Sequence, residues 1–158
     1  MPEKVTMDAA KRDLREGKSP STAAGEFVRE EMDHIREGKH GASSSKQAIA
    51  IGLSKARRAG VPLKQPSAET TSAETRHKAA QDTARGETNP VTGEEGHSKR
   101  GRAREKAMKR EPRSAASHRA LSRQAKGAAR KRTSAERSAS ARKAAATRKR
   151  EGKARRSR

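Results

Sequence analysis

The placement of the large apolar side chains limits what this chain can fold into. Val5, Met7, Leu14, Phe27, Val28, Met32, Ile35, Ile49, Ile51, Leu53, Val61 and Leu63 all precede residue 64, and only Val91, Met108 and Leu121 follow it. A segment without such side chains cannot bury enough apolar surface to offset the entropy of ordering its backbone. A core is therefore expected in the front part only. Composition agrees: 28% of residues are hydrophobic, Phe27 is the single aromatic, and the net charge is +21. The expected fold class is mainly α, a small three-helix N-terminal unit followed by a disordered or transiently helical basic tail. The expected divisions are a helical unit at 1–63, a Pro/Gly/Ser/Thr-rich linker at 64–98 and a Lys/Arg/Ala-rich tail at 99–158.

The densest apolar run is Ser43 to Pro62, SSSKQAIAIGLSKARRAGVP. Ile49, Gly52, Leu53 and Ala56 fall at i, i+3, i+4 and i+7, one face of a helix. Ser44 with Gln47 three residues on forms a capping box, and Gly60 followed by Pro62 is a stop. These signals predict a helix over 44–59. Upstream, the pattern predicts a helix from Thr6 to Glu16 and another from Ser19 as N-cap, with Pro20 at the first helical position, to Glu37. Ala24, Phe27, Val28, Met32 and Ile35 share one face of the latter. Both helices end in the same tetrapeptide, Arg15-Glu16-Gly17-Lys18 and Arg36-Glu37-Gly38-Lys39, which reads as a repeated C-cap. Pro62, Pro66, Gly86, Pro90, Gly93 and Gly96 punctuate the next stretch. There, Thr71 with Glu74 is a second capping box that allows a short solvated helix from Ser72 to Arg85.

Charge is distributed as unevenly as apolar surface. Residues 1–40 carry net −1, 41–65 net +5 with no acid, 66–98 net −3, and 99–158 net +20. A block so basic implies a polyanionic partner. Two tail segments share a spacing: Arg102, Lys106, Lys109 and Arg113, then Arg119, Arg123, Lys126 and Arg130. Each set falls within about 60° of arc on a helix, a row suited to the phosphates along a groove, although Pro112 interrupts the first. Beyond Thr133, Arg137, Arg142, Lys143 and Arg148 surround the helix axis with no face, which argues against an amphipathic membrane helix. Lys131, Arg132, Arg142, Lys143, Arg148, Lys149 and Arg150 are further candidates for phosphate contact. Lys46, Lys55, Arg57 and Arg58 make the 44–59 helix a further basic candidate.

Other chemistries lack their residues. Cysteine is absent, so there are no disulfides. No run is long and apolar enough for a membrane span, and the first residues lack the apolar stretch of a signal peptide. The expected location is cytoplasmic and nucleoid-associated. Gly17-Lys18-Ser19 ends like a phosphate-binding loop, but Arg12 stands where its first glycine belongs. His34, His40, His77, His97 and His118 are scattered, with no His-x-x-x-His pair, so no metal site and no cofactor are expected. Asp33 and Glu37, one turn apart, read as surface acids. No nucleophile, base and orienter assemble by spacing, so the chain reads as non-enzymatic. Proteins that bind single strands stack bases on aromatics. With no Tyr or Trp, the bias is towards duplex DNA, with structured RNA as the alternative.

Residues 25–63, GEFVREEMDHIREGKHGASSSKQAIAIGLSKARRAGVPL, resemble the shared core of small basic bacterial proteins carrying a domain of unknown function. Some of these are labelled DNA-binding or plasmid-stabilisation proteins. Residues 113–132, RSAASHRALSRQAKGAARKR, resemble their C-terminal part, and the tail is similar to linker histones in composition. The resemblance implies no catalytic residues. The expected function is sequence-nonspecific binding of double-stranded DNA through phosphate neutralisation by the tail. The alternatives are an RNA- or ribosome-associated basic protein, or a protein-interaction module with a solubilising basic tail, whose Ile49/Leu53 helix docks a partner. A homodimer through that helix is also expected.

Overall fold

The computed structural model describes residues 2–88 and 99–156; among them the chain is mainly α with no strand. Seven α-helices follow in order: α1 (Lys4–Arg15), α2 (Pro20–Glu37), α3 (Ser45–Arg58), α4 (Ala73–Thr88), α5 (Lys99–Lys109), α6 (His118–Arg130) and α7 (Ser134–Arg156). A 3-10 turn, Arg113–Ala116, precedes α6. The chain forms two compact units, residues 1–120 and 121–158. No helix among the described residues is long and apolar enough to cross a membrane.

Local sequence sets the ends of the first three helices. Pro20 opens α2 at a position where its missing N–H costs nothing. Ser44 Oγ accepts a 3.2 Å bond from Gln47 N at the start of α3, as the capping spacing predicts. All three helices end on a glycine with positive φ: Gly17 at 72°, Gly38 at 81° and Gly60 at 83°. In each case the following N–H reaches back over the last turn: Lys18 N to Asp13 O, Lys39 N to His34 O and Val61 N to Ala56 O. The repeated Arg-Glu-Gly-Lys is thus the same glycine-terminated cap used twice.

The core of the first unit is built largely from alanine. Ala23, Ala24, Phe27 and Ile35 of α2 are fully buried, and α2 packs against both α1 and α3. Ala10, Ala56 and Val61 complete the central cluster, with Met7, Leu14, Leu53, Ala59 and Leu63 half-buried around it. On α3 the buried line is Ser45, Ala48, Gly52, Lys55, Ala56 and Arg57. The expected line of Ile49, Gly52, Leu53 and Ala56 is therefore rotated, and Ile49 and Leu53 are half-buried at its edge. Gly52 explains the rotation. A Cβ built there would lie 2.7 Å from Val28 Cα, so the smallest side chains take the line where α2 and α3 approach most closely. Gly52→Val should destabilise the fold by about 2 kcal/mol or more, because overpacking against backbone forces the helices apart. Urea unfolding followed by helicity measures it; an unchanged midpoint would contradict the close approach.

Two further pieces pack on this core. α4 lies on α3, where Gly86 brings the two backbones together: a Cβ on it would meet Arg57 O at 2.0 Å. Ser54 Oγ donates to Asp82 Oδ2 at 2.5 Å across the same contact. The cap of α4 is Ser72, whose Oγ accepts from Thr75 N at 3.3 Å, so the start falls one residue later than the Thr71/Glu74 spacing suggested. The second piece comes from the tail. Gly41 N donates to Met108 O at 2.9 Å and Ala42 N to Pro112 O at 3.1 Å. Ser45 Oγ donates to Ala115 O at 2.5 Å and Arg36 Nε to Ala116 O at 3.2 Å. Ala115 and Ala116 are buried. Residues 108–116 are thus stitched to the α2–α3 loop. Of the expected linker, residues 89–98 lie outside the described residues.

Candidate functional site

The expected polyanion-binding residues divide into three groups. In α6, Arg119, Arg123, Lys126 and Arg130 are all exposed on one continuous helix that contains no acid and buries no side chain. The 4-3-4 spacing places them along one face. Lys131 and Arg132 follow, both exposed, in the turn before α7. Arg132 donates to Glu136 O at 3.0 Å and to Ser140 Oγ. The start of α7 is fixed by a reciprocal capping box absent from the sequence reading: Thr133 Oγ1 accepts from Glu136 N at 3.2 Å, and Glu136 Oε2 accepts from Thr133 N at 2.7 Å. The Thr133 N–H, and then the Thr133 hydroxyl at 3.0 Å from Oε2, hold the Glu136 carboxyl below the usual carboxylate range. Arg142, Lys143, Arg148 and Lys149 are exposed along α7. Arg150 lies on the same helix, and its side chain is outside the described residues.

The first tail set does not form one helical face. Arg102, Lys106 and Lys109 are exposed on α5, but Arg113 falls beyond Pro112 in the 3-10 turn. Lys109 pairs with Glu105 at 2.7 Å. The Arg113 guanidinium lies against Gly38, the C-cap of α2, where a cation is favoured by the helix dipole.

The α3 cations are the third group, and here the expectation needs correcting. Lys46 is exposed. Lys55 is only 9% exposed and Arg57 only 8%. Lys55 is turned inward because two carboxylates of α2 await it: its Nζ lies 2.7 Å from Glu31 Oε2 and 3.7 Å from Glu30 Oε1. Arg57 donates to Lys64 O at 3.3 Å, and burial lowers the pKa of its guanidinium. Arg58 is half-buried and pairs with Asp82 at 3.6 Å. Of these four, Lys46 alone is exposed.

The partners of Lys55 belong to a buried cluster of charge. Glu31 is fully buried and Glu30, His34 and Lys55 nearly so. Glu3, at the entry to α1, ties the cluster to the chain's start. Its N–H donates to Glu30 Oε2 at 3.1 Å, and its carboxylate lies 3.1 Å from His34 Nε2 and 3.2 Å from Lys39 Nζ. The His34 bond, then Lys39, holds the Glu3 carboxyl below its ordinary range. His40 approaches from the loop after Gly38, with Nε2 at 3.4 Å from Glu31 Oε1. The histidines that looked scattered in sequence therefore converge: the rings of His34 and His40 are 6.2 Å apart, edge to face. The available signal was Glu31-x-x-His34, one helical turn that puts both side chains on the same face. No family model, curated protein or solved structure matches the chain.

Proposed function

We propose that this is a non-enzymatic nucleic-acid-binding protein of nucleoid type, which binds double-stranded DNA without sequence preference by neutralising phosphates with its basic C-terminal part. The observation that carries this reading is the acid-free α6 helix with Arg119, Arg123, Lys126 and Arg130 exposed along it. A line of cations on a helix reaches backbone phosphates, and phosphate contacts position a protein on the duplex without reading its sequence. The front helices, in this reading, act as a docking or dimerising piece. The resemblance of residues 25–63 to small basic bacterial proteins, some of them labelled DNA-binding or plasmid-stabilisation, supports the same reading.

The basic part orders further on binding. None of the described side chains of α5, α6 or α7 is buried. Helices without a packed face are marginal in water, so contact with a polyanion raises their helicity and the ordering cost is met at that moment.

Salt dependence tests the reading. If about 8 cations meet phosphates, log K should fall with log salt at a slope near −7, from about −0.9 per phosphate. Unrelated duplexes should bind alike, and duplex DNA should outcompete structured RNA at equal salt. A slope near zero or strong preference among duplexes would contradict phosphate neutralisation. Preference for structured RNA would move the target to the ribosome or another RNA.

A further inference from the structure

We propose that Glu31, His34 and His40 form a binding site for a divalent transition-metal ion of the zinc class, placed where the loop after α2 receives residues 108–116. This goes beyond nucleic-acid binding and does not depend on it. One carboxylate oxygen of Glu31 and one ring nitrogen each of His34 and His40 lie within 4.8 Å of one another. Two imidazoles and a carboxylate are a donor set that suits zinc and its neighbours.

The second observation is an orphaned acceptor. Glu31 is fully buried, and its Oε1 has no hydrogen-bond donor. What faces it is His40 Nε2, at 3.4 Å. His40 Nδ1 lies 3.1 Å from Gly41 O, and a carbonyl only accepts, so Nδ1 carries the hydrogen. In the neutral ring, Nε2 then presents a lone pair to the lone pairs of Glu31 Oε1. A half-buried ring nitrogen facing a buried carboxylate oxygen calls for a positive charge between them, which a proton or a metal ion supplies. Their spacing already matches the edge of a zinc tetrahedron, about 3.3 Å for bonds near 2.05 Å.

Charge leads to the same place. The buried part of the cluster sets Glu30 and Glu31 against the single cation Lys55, which leaves one negative charge in excess there. Lys55 occupies the Oε2 side of Glu31 at 2.7 Å, leaving the Oε1 side for a metal. Outer partners are also in place. Gly41 O fixes the His40 ring through Nδ1, as an acceptor on the far nitrogen usually does around a metal-ligating histidine, and Glu3 lies 3.1 Å from His34 Nε2. The His40 side chain keeps 13% of its surface exposed, which gives an ion its way in.

A metal here would fasten a particular joint. His40 adjoins Gly41 and Ala42, whose N–H groups hold Met108 O and Pro112 O. An ion bridging α2 to His40 would fix that loop and with it the docked segment.

The test uses the full chain, stripped with chelator and titrated with Co2+ and Zn2+. The expected result is one equivalent of Co2+ with the visible absorption of a tetrahedral site, displaced by Zn2+. A rise in melting temperature of about 4 °C or more should accompany it. His40→Gln should weaken Co2+ binding at least about 10-fold, whereas His118→Gln, on an exposed helix, should leave it unchanged. Paramagnetic shifts from Co2+ on the unmodified protein should fall on the His34 and His40 ring protons and not on His77, which decides the matter even if a variant fails to fold. Binding spread over all histidines, or unaltered by His40→Gln, would overturn the proposal. So would identical melting with and without metal, which would mean that a proton, not a metal, bridges Glu31 and His40.

Discussion

A chain ending at Ala120 loses about 100-fold or more of its affinity for duplex DNA at physiological salt, while its front helices stay folded. Residues 121–158 hold 15 basic and 2 acidic side chains. Removing them takes away Arg123, Lys126 and Arg130 of the α6 row and all of α7. The remaining chain still has a positive balance of +8, but it carries 17 acids among its cations, and Lys55 and Arg57 are buried. Polyelectrolyte affinity scales with the phosphates neutralised, so the loss should come with a much shallower salt slope. The cut belongs after residue 120 and not at residue 98. Removing 108–116 would leave the N–H groups of Gly41 and Ala42 without their carbonyls and uncover the surface that buries Ala115 and Ala116. Filter binding across a salt series measures the affinity, and circular dichroism the helices. If the truncated chain keeps most of the affinity, Lys46 and the α5 cations are the binding element.

Lys55→Met should destabilise the first unit by about 3–5 kcal/mol, the usual consequence of removing one partner from a buried ion pair. Glu31 is fully buried and Lys55 is the ammonium within 2.7 Å of it. Methionine would leave the Glu31 and Glu30 carboxylates facing each other's field without the ammonium between them. Whole domains are stable by about 5–15 kcal/mol, so the variant should be close to unfolding at 25 °C. Pairing it with Glu31→Leu should recover much of the loss, since an apolar pair of similar volume replaces a buried ion pair at little cost. Urea unfolding in the presence of chelator measures both variants. A single variant as stable as the parent would show that the ammonium is not needed there.

The first three helices were legible in the sequence. Ser44, Pro20, Gly17, Gly38 and Gly60 act through strictly local geometry, and local geometry is what spacing records. The face of α3 was legible in part: Gly52 and Ala56 are buried and Leu53 packs beside them, but the buried line is centred nearer Ala48 and Lys55. Hydropathy ranks Ile49 and Leu53 as the inside, but packing distance is set by the smallest side chain on the contact, Gly52 against Val28. The inward turn of Lys55 was hidden for a related reason: a lysine reads as surface unless its carboxylate partner, here 24 positions away on α2, is known. The docking of 108–116 left no hydropathic signal at all, because Ala115 and Ala116 are two alanines in an alanine-rich stretch and the bonds that hold them use backbone atoms. The α6 row was legible because it lies within one helix. The convergence of His34 and His40 was not, because the turn at Gly38 separates them.

The alanine-built core, with backbone meeting backbone at Gly41, Gly52 and Gly86, also sets how the fold responds to temperature. Exposed apolar surface raises the heat capacity on unfolding and exposed peptide lowers it. Methyl groups and glycine contacts supply little of the first and much of the second. The heat-capacity change per residue therefore falls below the usual ~12–15 cal/mol/K, and the stability curve is broad and flat. Such a fold gives up little stability in the cold, where larger apolar cores begin to weaken.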